Sequence, residues 1–223
     1  MVSSRVSSEQ TPAVTDLAWV LLGAAAGFAI GDWVALVIGR RSLELVCKPA
    51  ATTALIGLAV ALDPVSGDRR AVFVAALVFS LAGDVFLMFD RFLPGLASFL
   101  VAQLTYAAGF ANAGGSAGEY AVGAAIVLAL AVPVAVRLVR ALRRGDHGAF
   151  IAPVLAYVAA IAVMVTGAIA SGNAWAIAGA GLFFTSDSLI AEHRFVKPRR
   201  ATPVAIMVTY HLAQAGLVLS LLR

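Results

Sequence analysis

Eight long apolar runs, separated by short polar segments, make up most of the chain. Each run has roughly the 20 residues that a helix needs to cross the hydrocarbon core of a bilayer. None shows the period-two alternation of a membrane β-strand. The pattern predicts an all-α bundle of about eight transmembrane helices, because a helix satisfies its backbone hydrogen bonds within each span. The predicted spans lie near residues 17–38, 44–62, 71–89, 95–113, 120–140, 149–170, 173–192 and 202–222.

The segments between the runs are short and hold charged or turn-forming residues, so they join antiparallel neighbours. Residues 1–16 form a polar N-terminal tail, and residues 17–223 are predicted to form a single transmembrane domain. The first run extends to Ile38 and is longer than the roughly 7–15 apolar residues of a signal peptide, so we expect an uncleaved first helix.

Composition supports the membrane prediction. Hydrophobic residues make up 61% of the chain and charged residues 13%, and the mean hydropathy is +0.95. The net charge of +4 is not interpreted as nucleic-acid binding, because Lys and Arg in short membrane loops report orientation. A single cysteine, Cys47, cannot form an intramolecular disulfide or a cysteine-based metal site.

Lysine and arginine concentrate at one set of connections, those between spans 1 and 2, 3 and 4, 5 and 6, and 7 and 8. The positive-inside rule places these connections in the cytoplasm. Both termini are then expected on the non-cytoplasmic side of a multi-pass protein of the cell membrane.

Three ionisable residues share one depth in this orientation. Lys48 lies about one turn into the second span, and Asp84 and Asp187 lie one to two turns before the ends of the third and seventh. Charges at such depth usually face the bundle interior and are functional candidates. Lys48 could instead extend to the headgroups or form a purely structural ion pair with an aspartate. Asp32, at a comparable depth in the first span, is a further possible partner.

Two pairs of polar residues also fall within spans. Gln103 and Tyr106 are three residues apart, and Tyr210 and Gln214 are four apart, so each pair shares a helix face. Such pairs serve as interhelical hydrogen-bonding contacts or line a site. The sequence contains no paired histidine motif for a metal and no serine-hydrolase or phosphate-loop motif. Any chemistry is therefore expected to be acid–base catalysis by carboxylates, without metal or cofactor.

Five motifs resemble, in order and spacing, those of the YhhN-like lysoplasmalogenase family. They are CKPAATT at 47–53, SLAGDVFLM at 80–88, FLVAQLTY at 99–106, GAGLFFTSDSLIA at 179–191 and TYHLAQ at 209–214. The resemblance covers the chain from the second span to the eighth. It implies an integral membrane hydrolase that cleaves the vinyl ether bond of lysoplasmalogens, releasing a fatty aldehyde and a glycerophospho-alcohol.

The family motifs match this sequence at several chemically active positions. These are Lys48, Pro49, Gly83, Asp84, Tyr106, Ser186, Asp187, Tyr210 and Gln214. In the motif of the fourth span, where the family commonly has Gly-His, this chain has Ala102 and Gln103. Because an amide does not titrate, Gln103 cannot replace a proton-transferring histidine.

Vinyl ether hydrolysis needs an acid that protonates the β-carbon and a carboxylate that stabilises the resulting oxocarbenium ion. Asp84 and Asp187 are expected to face one another across a cavity, where desolvation and mutual repulsion keep one protonated and the other ionised. Lys48 is expected to orient the ionised aspartate or bind the lipid phosphate. The remaining substrate-binding candidates are Gln103, Tyr106, Ser186, Tyr210 and Gln214.

Two other functions are open to such a chain. A small-molecule or proton transporter, or a lipid-binding membrane protein, also places polar residues within spans, although no clear inverted repeat is present. An intramembrane aspartyl protease also carries two aspartates in helices. By resemblance, such proteases have Gly-x-Gly-Asp and Tyr-Asp motifs, whereas this chain has Leu-Ala-Gly-Asp and Ser-Asp.

Overall fold

Eight α-helices form the protein in a computed structural model, which describes residues 15–63, 66–111 and 114–222. The helices are α1 (Asp16–Ile38), α2 (Arg41–Ala61), α3 (Gly67–Met88), α4 (Phe92–Ala111), α5 (Ala117–Arg144), α6 (Ile151–Ala170), α7 (Ala174–Phe195) and α8 (Thr202–Leu219). All eight are long and apolar enough to cross a membrane, and the described residues contain no strand. The prediction of an all-α, multi-pass membrane protein is confirmed. The orientation of the termini stays a prediction, and residues 1–14 of the predicted tail lie outside the described residues.

Polar side chains begin several of the helices by satisfying free backbone amides. The Thr15 hydroxyl accepts a hydrogen bond from the Ala18 amide at 3.1 Å. At α5, Ser116 and Glu119 form a reciprocal capping box, in which each side chain accepts a hydrogen bond from the other residue's backbone amide. At α7, the Asn173 side chain accepts from two amides of the first turn. These caps explain why helices start where the predicted turn segments end.

Two of the helices that end at the cation-rich side of the bundle finish later than predicted. Helix α5 continues to Arg144 and α7 to Phe195, past the predicted ends at residues 140 and 192. The last turn of α5 carries Arg143 and Arg144, and that of α7 carries His193 and Arg194. Cationic side chains stabilise the negative end of the helix dipole, so charged residues that read as loop in the sequence continue the helix.

The helices pack closely in the pairs α1 with α2, α3 with α4, and α7 with α8, while α6 packs on both α4 and α5. By contrast, α5 touches α7 only lightly. At Gly83, beside Asp84, an added Cβ would lie 2.6 Å from the Phe99 ring. The absence of a side chain at residue 83 thus lets α4 approach α3 next to the buried carboxylate of Asp84.

Candidate functional site

A buried ion pair joins α2 to α3. The Lys48 Nζ lies 3.3 Å from Asp84 Oδ1, and the two side chains are 11% and 2% exposed. Lys48 therefore does not extend to the headgroups. The ion pair of Lys48 is with Asp84 and not with Asp32. Breaking a buried pair on one side leaves an uncompensated charge, so each residue requires the other.

The second oxygen of Asp84 accepts two further hydrogen bonds. Tyr210 of α8 donates to Oδ2 at 2.7 Å, and Thr52, one turn after Lys48 on α2, donates at 3.3 Å. With Lys48 on Oδ1, the carboxylate has three donors, an arrangement that suits the ionised form. Thr52 lies within the CKPAATT motif but was not among the predicted site residues; its spacing of four from Lys48 was the available signal.

The network continues from Tyr210 to α4. The Gln214 amide donates to the Tyr210 hydroxyl at 3.1 Å, and its carbonyl oxygen accepts from the Tyr106 hydroxyl at 2.7 Å. Tyr106 and Gln214 have no exposed surface. Tyr106, from the first predicted pair, is therefore linked to the Asp84 carboxylate through Gln214 and Tyr210, the second predicted pair.

Asp187 belongs to a second network, formed by α7, α6 and α4. The Tyr157 hydroxyl of α6 donates to Asp187 Oδ2 at 2.5 Å and accepts from the Gln103 amide at 3.3 Å. Tyr157 was missed from the sequence because it is a single residue in an otherwise apolar run. A phenol in the middle of a predicted span, which needs a hydrogen-bond partner in hydrocarbon, was the one available signal.

An apolar cavity, here called the inner cavity, reaches the second network. Asp187 and Tyr157 line it, together with apolar side chains from α3 to α7 that include Phe99 and Ile161. Its volume is about 60 Å³, room for a few water molecules on the scale where about 10–15 Å³ admits one. Asp84 is not among the lining residues. Asp187 is thus the carboxylate that a ligand in this cavity would meet.

The rings of Phe99 and Tyr210, here called the aromatic wall, lie between the inner cavity and Asp84. Phe99 lines the cavity, and its ring contacts the ring of Tyr210 at a centroid distance of 5.9 Å. The structure therefore gives the two carboxyl groups separate hydrogen-bonding partners.

Ser186, unlike the other predicted site residues, belongs to neither hydrogen-bonding network. It is fully buried, and its hydroxyl donates to the Ile206 carbonyl at 3.1 Å, which ties α7 to α8. It contacts neither aspartate through a hydrogen bond in the described structure.

Several buried polar atoms among the described residues have no hydrogen-bond partner. They are the Gln103 Oε1, the Ser80 hydroxyl, both Asp32 carboxylate oxygens and the His211 Nε2. Such atoms in a protein interior are usually satisfied by bound water or ligand. Gln103 is the one of these side chains that also bonds a residue lining the inner cavity. No group of three or more histidine, cysteine or acidic residues in the described part of the chain could hold a metal.

Comparisons with known proteins match most of the chain to one family. The YhhN family model matches residues 43–221. Human lysoplasmalogenase TMEM86B is 30% identical over 195 residues, covering 86% of this chain and 77% of the relative. The lysoplasmalogenases of Mycobacterium bovis and Mycobacterium tuberculosis are each 29% identical over 212 residues, covering 88% of this chain and 80% of the relative.

No solved structure matches the chain. The family match spans from α2 to the end of α8 and includes every predicted site residue. The resemblance predicted from the five motifs, to a family with lysoplasmalogenase-type hydrolases, is confirmed: this chain belongs to the YhhN family.

Proposed function

We propose that this protein hydrolyses the vinyl ether bond of lysoplasmalogens, giving a fatty aldehyde and a glycerophospho-alcohol. The names of the similar human and mycobacterial proteins support the substrate. The observation that carries the proposal is the position of Asp187, a carboxyl group on the wall of an apolar cavity within a membrane protein. An alkenyl ether is itself apolar and needs an acid to react. The cavity offers apolar surroundings for the ether and a carboxyl group that can act as the acid.

The reaction begins with transfer of a proton from an acid to the β-carbon of the vinyl ether. The alkene electron pair forms the new C–H bond and leaves an oxocarbenium ion. Water adds to this cation and loses a proton, and the resulting hemiacetal collapses to aldehyde and alcohol. A glycosidase passes through a similar cation and also uses two carboxyl groups.

Asp187 acts as the acid in this proposal because it lines the inner cavity and Asp84 does not. Tyr157 donates to Oδ2, which leaves Oδ1 to carry the proton toward the substrate. Once the proton has left, the same carboxylate takes up a proton from the attacking water. One residue thus serves first as the acid and then as the base, as the acid/base carboxyl group of a retaining glycosidase does.

Asp84 is the carboxylate that stays ionised in this proposal. Lys48, Tyr210 and Thr52 all donate to it. Its carboxylate stabilises the oxocarbenium ion from behind the aromatic wall, because apolar protein screens a charge less than water does. Tyr106 and Gln214 hold Tyr210 in place for this role, and the free Gln103 Oε1 accepts a hydrogen bond from the attacking water.

The direct test is aldehyde release from lysoplasmalogen by the detergent-purified protein. We expect Asp187→Asn to lower kcat by at least about 100-fold, because it removes the acid, and Asp84→Asn to lower it through loss of the charge. Asp90→Asn is the matched control, since Asp90 is exposed in the turn after α3 and should leave kcat unchanged.

Full activity in both aspartate variants, with each variant folded, would overturn the two-aspartate mechanism. Absence of aldehyde release by the wild-type protein, together with proton-coupled uptake into vesicles that depends on the same aspartates, would instead support the transporter alternative.

A further inference from the structure

Three arginines form a cationic notch at the end of the bundle where α5 and α7 finish. Arg137, Arg140 and Arg144 line it with Ala141 and Val196, and its volume is about 440 Å³. The arginines are spaced by three and four residues and so share one face of α5. We call this feature the arginine notch.

The arginine notch lies at headgroup depth. Helix α5 has 28 residues and is about 42 Å long, whereas the hydrocarbon core is about 30 Å thick. Measured from Ala117, the 20 residues to Arg137 account for about 30 Å of that length. The turns that carry the three arginines therefore extend out of the hydrocarbon and into the layer where lipid phosphates lie.

One of the three arginines is already paired. Arg137 forms a bidentate ion pair with Glu192 of α7: its Nε donates to Oε2 at 2.9 Å and its Nη2 donates to Oε1 at 2.5 Å. Arg140 and Arg144 have no ion pair among the described residues. The arginine notch thus keeps two positive charges that are not balanced by a neighbouring carboxylate.

A groove connects this notch with the site. It runs between α5 and α7 with a volume of about 480 Å³, and we call it the lateral groove. It shares Arg137 with the notch, and Val134, Leu138, Phe184 and Ser188 with the inner cavity. Leu130 and Thr185, which line the groove, are exposed, so it opens on the surface of the bundle that faces the surrounding lipid.

The dimensions fit a lysophospholipid. Along α7, the rise from Asp187 to Val196 at the notch is about 13 Å for nine residues. An extended chain of five single bonds separates the vinyl ether oxygen from the phosphorus by about 6 Å, and an arginine side chain reaches about as far. A lipid with its vinyl ether at Asp187 therefore places its phosphate within reach of Arg140.

We propose that the arginine notch binds the phosphate of the lysophospholipid substrate. The lipid enters from the bilayer through the lateral groove. When bound, its chain lies beside α5 and its vinyl ether lies at Asp187. This inference rests on the proposed function. It assigns phosphate recognition to arginines on α5 and not to Lys48, whose ammonium group is buried against Asp84. Planar guanidinium groups suit phosphate because they donate two parallel hydrogen bonds.

The test measures binding of an analogue that cannot be hydrolysed, a 1-O-alkyl lysophosphatidylethanolamine, to the protein in a non-ionic maltoside detergent. The variant Arg140→Gln/Arg144→Gln should bind it at least about tenfold more weakly, because two charge-assisted contacts are lost. Binding of the matching 1-O-alkylglycerol, which has no phosphate, should stay within about twofold. Arg143→Gln is the control, since Arg143 lies in the same turns but does not line the notch.

Unchanged binding in the double variant, or an equal loss for the alkylglycerol, would overturn the proposal. A general site for bulk anionic lipid is distinguished by diacyl phosphatidylglycerol: if it binds as tightly as the analogue and loses as much affinity in the variant, the substrate assignment is wrong.

The catalytic assay separates this inference from the proposed function. With hydrolysable lysoplasmalogen, we expect the double variant to show a raised KM and a retained kcat, as for loss of a binding contact. If the wild type binds the analogue through the notch but releases no aldehyde, the proposed function fails and the notch stands. If the wild type is active and the double variant keeps its KM, the notch fails and the proposed function stands.

Discussion

Tyr157 is the residue that connects the chemistry of Asp187 to the fourth helix. Its hydroxyl donates to Asp187 and accepts from Gln103. The family resemblance implies a histidine where this chain has Gln103, and both side chains can donate one N–H bond to the phenol. Gln103 therefore suits a holding role, and a titrating group at residue 103 is not needed to orient Asp187, the acid in the proposed mechanism.

Replacing Tyr157 with phenylalanine tests this orientation. The change keeps the ring but removes the hydrogen bond to Asp187, and a bond to a charged or reacting carboxyl is worth about 1.5–3 kcal/mol. We expect Tyr157→Phe to lower kcat for aldehyde release by about 10–100-fold with the melting temperature nearly unchanged. Tyr120→Phe is the control, because Tyr120 bonds only the Phe110 carbonyl among the described contacts. Lower stability with full kcat would assign Tyr157 a purely structural role.

The α7–α8 pair shows how small residues position the site at the scale of elements. A Cβ added to Gly179 of α7 would lie 2.7 Å from the Leu217 amide nitrogen and 2.8 Å from the Ala213 carbonyl oxygen. A Cβ on Gly216 of α8 would lie 3.0 Å from the Gly179 Cα. The two backbones therefore touch at these glycines, which is how helices associate in lipid. This contact fixes the distance between Asp187 on α7 and Tyr210 on α8.

Two glycine substitutions on α7 should have different effects on stability. Gly179→Ala forces the α7 and α8 backbones apart, so we expect a loss of about 1–3 kcal/mol in stability and a lower kcat. Gly181→Ala meets nothing within 4 Å and should be neutral or stabilising by up to about 1 kcal/mol, since alanine favours the helix. Thermal unfolding in detergent measures both. Equal effects of the two changes would contradict a close contact at Gly179.

At the scale of the whole molecule, the cationic ends of the helices gather at one end of the bundle. Arg137 and Glu192 join α5 and α7 there, and Arg41 donates to the Met88 carbonyl at the same set of connections. Lys48, Asp84 and Asp187 lie one to two turns inside that end. The positive-inside rule predicts that the site opens to the cytoplasmic leaflet, and we expect a lysolipid to reach it from that leaflet.

Cysteine labelling tests this orientation in intact cells. In a Cys47→Ala background, which removes the one native thiol, Asp63→Cys and Arg200→Cys place thiols at exposed positions in the 2–3 and 7–8 connections. We expect a membrane-impermeant maleimide to label residue 63 in intact cells, and residue 200 only after permeabilisation. Labelling of both variants in detergent is the control, and the reversed pattern would invert the topology.

Much of the architecture follows from the sequence alone. Span length and hydropathy determine eight helices, since each apolar run must cross the hydrocarbon with its own backbone bonds satisfied. Rise per residue then places Lys48, Asp84 and Asp187 at one depth. The helix ends were less well predicted, because Arg143 and Arg144 read as a loop but stabilise the last turn of α5.

Only the tertiary structure decides which polar groups meet. Depth says nothing about the rotation of a helix, and in spans that are apolar on every side no periodic face indicates it. Packing of side chains sets that rotation, and it pairs Lys48 with Asp84 while leaving Asp32 unpaired. It also brings Tyr157 to Asp187, and it leaves α5 and α7 loosely packed. The sequence by itself determines the level of the site in the membrane, and packing determines its members and its opening, because hydropathy acts along the bilayer normal while side-chain contacts act across it.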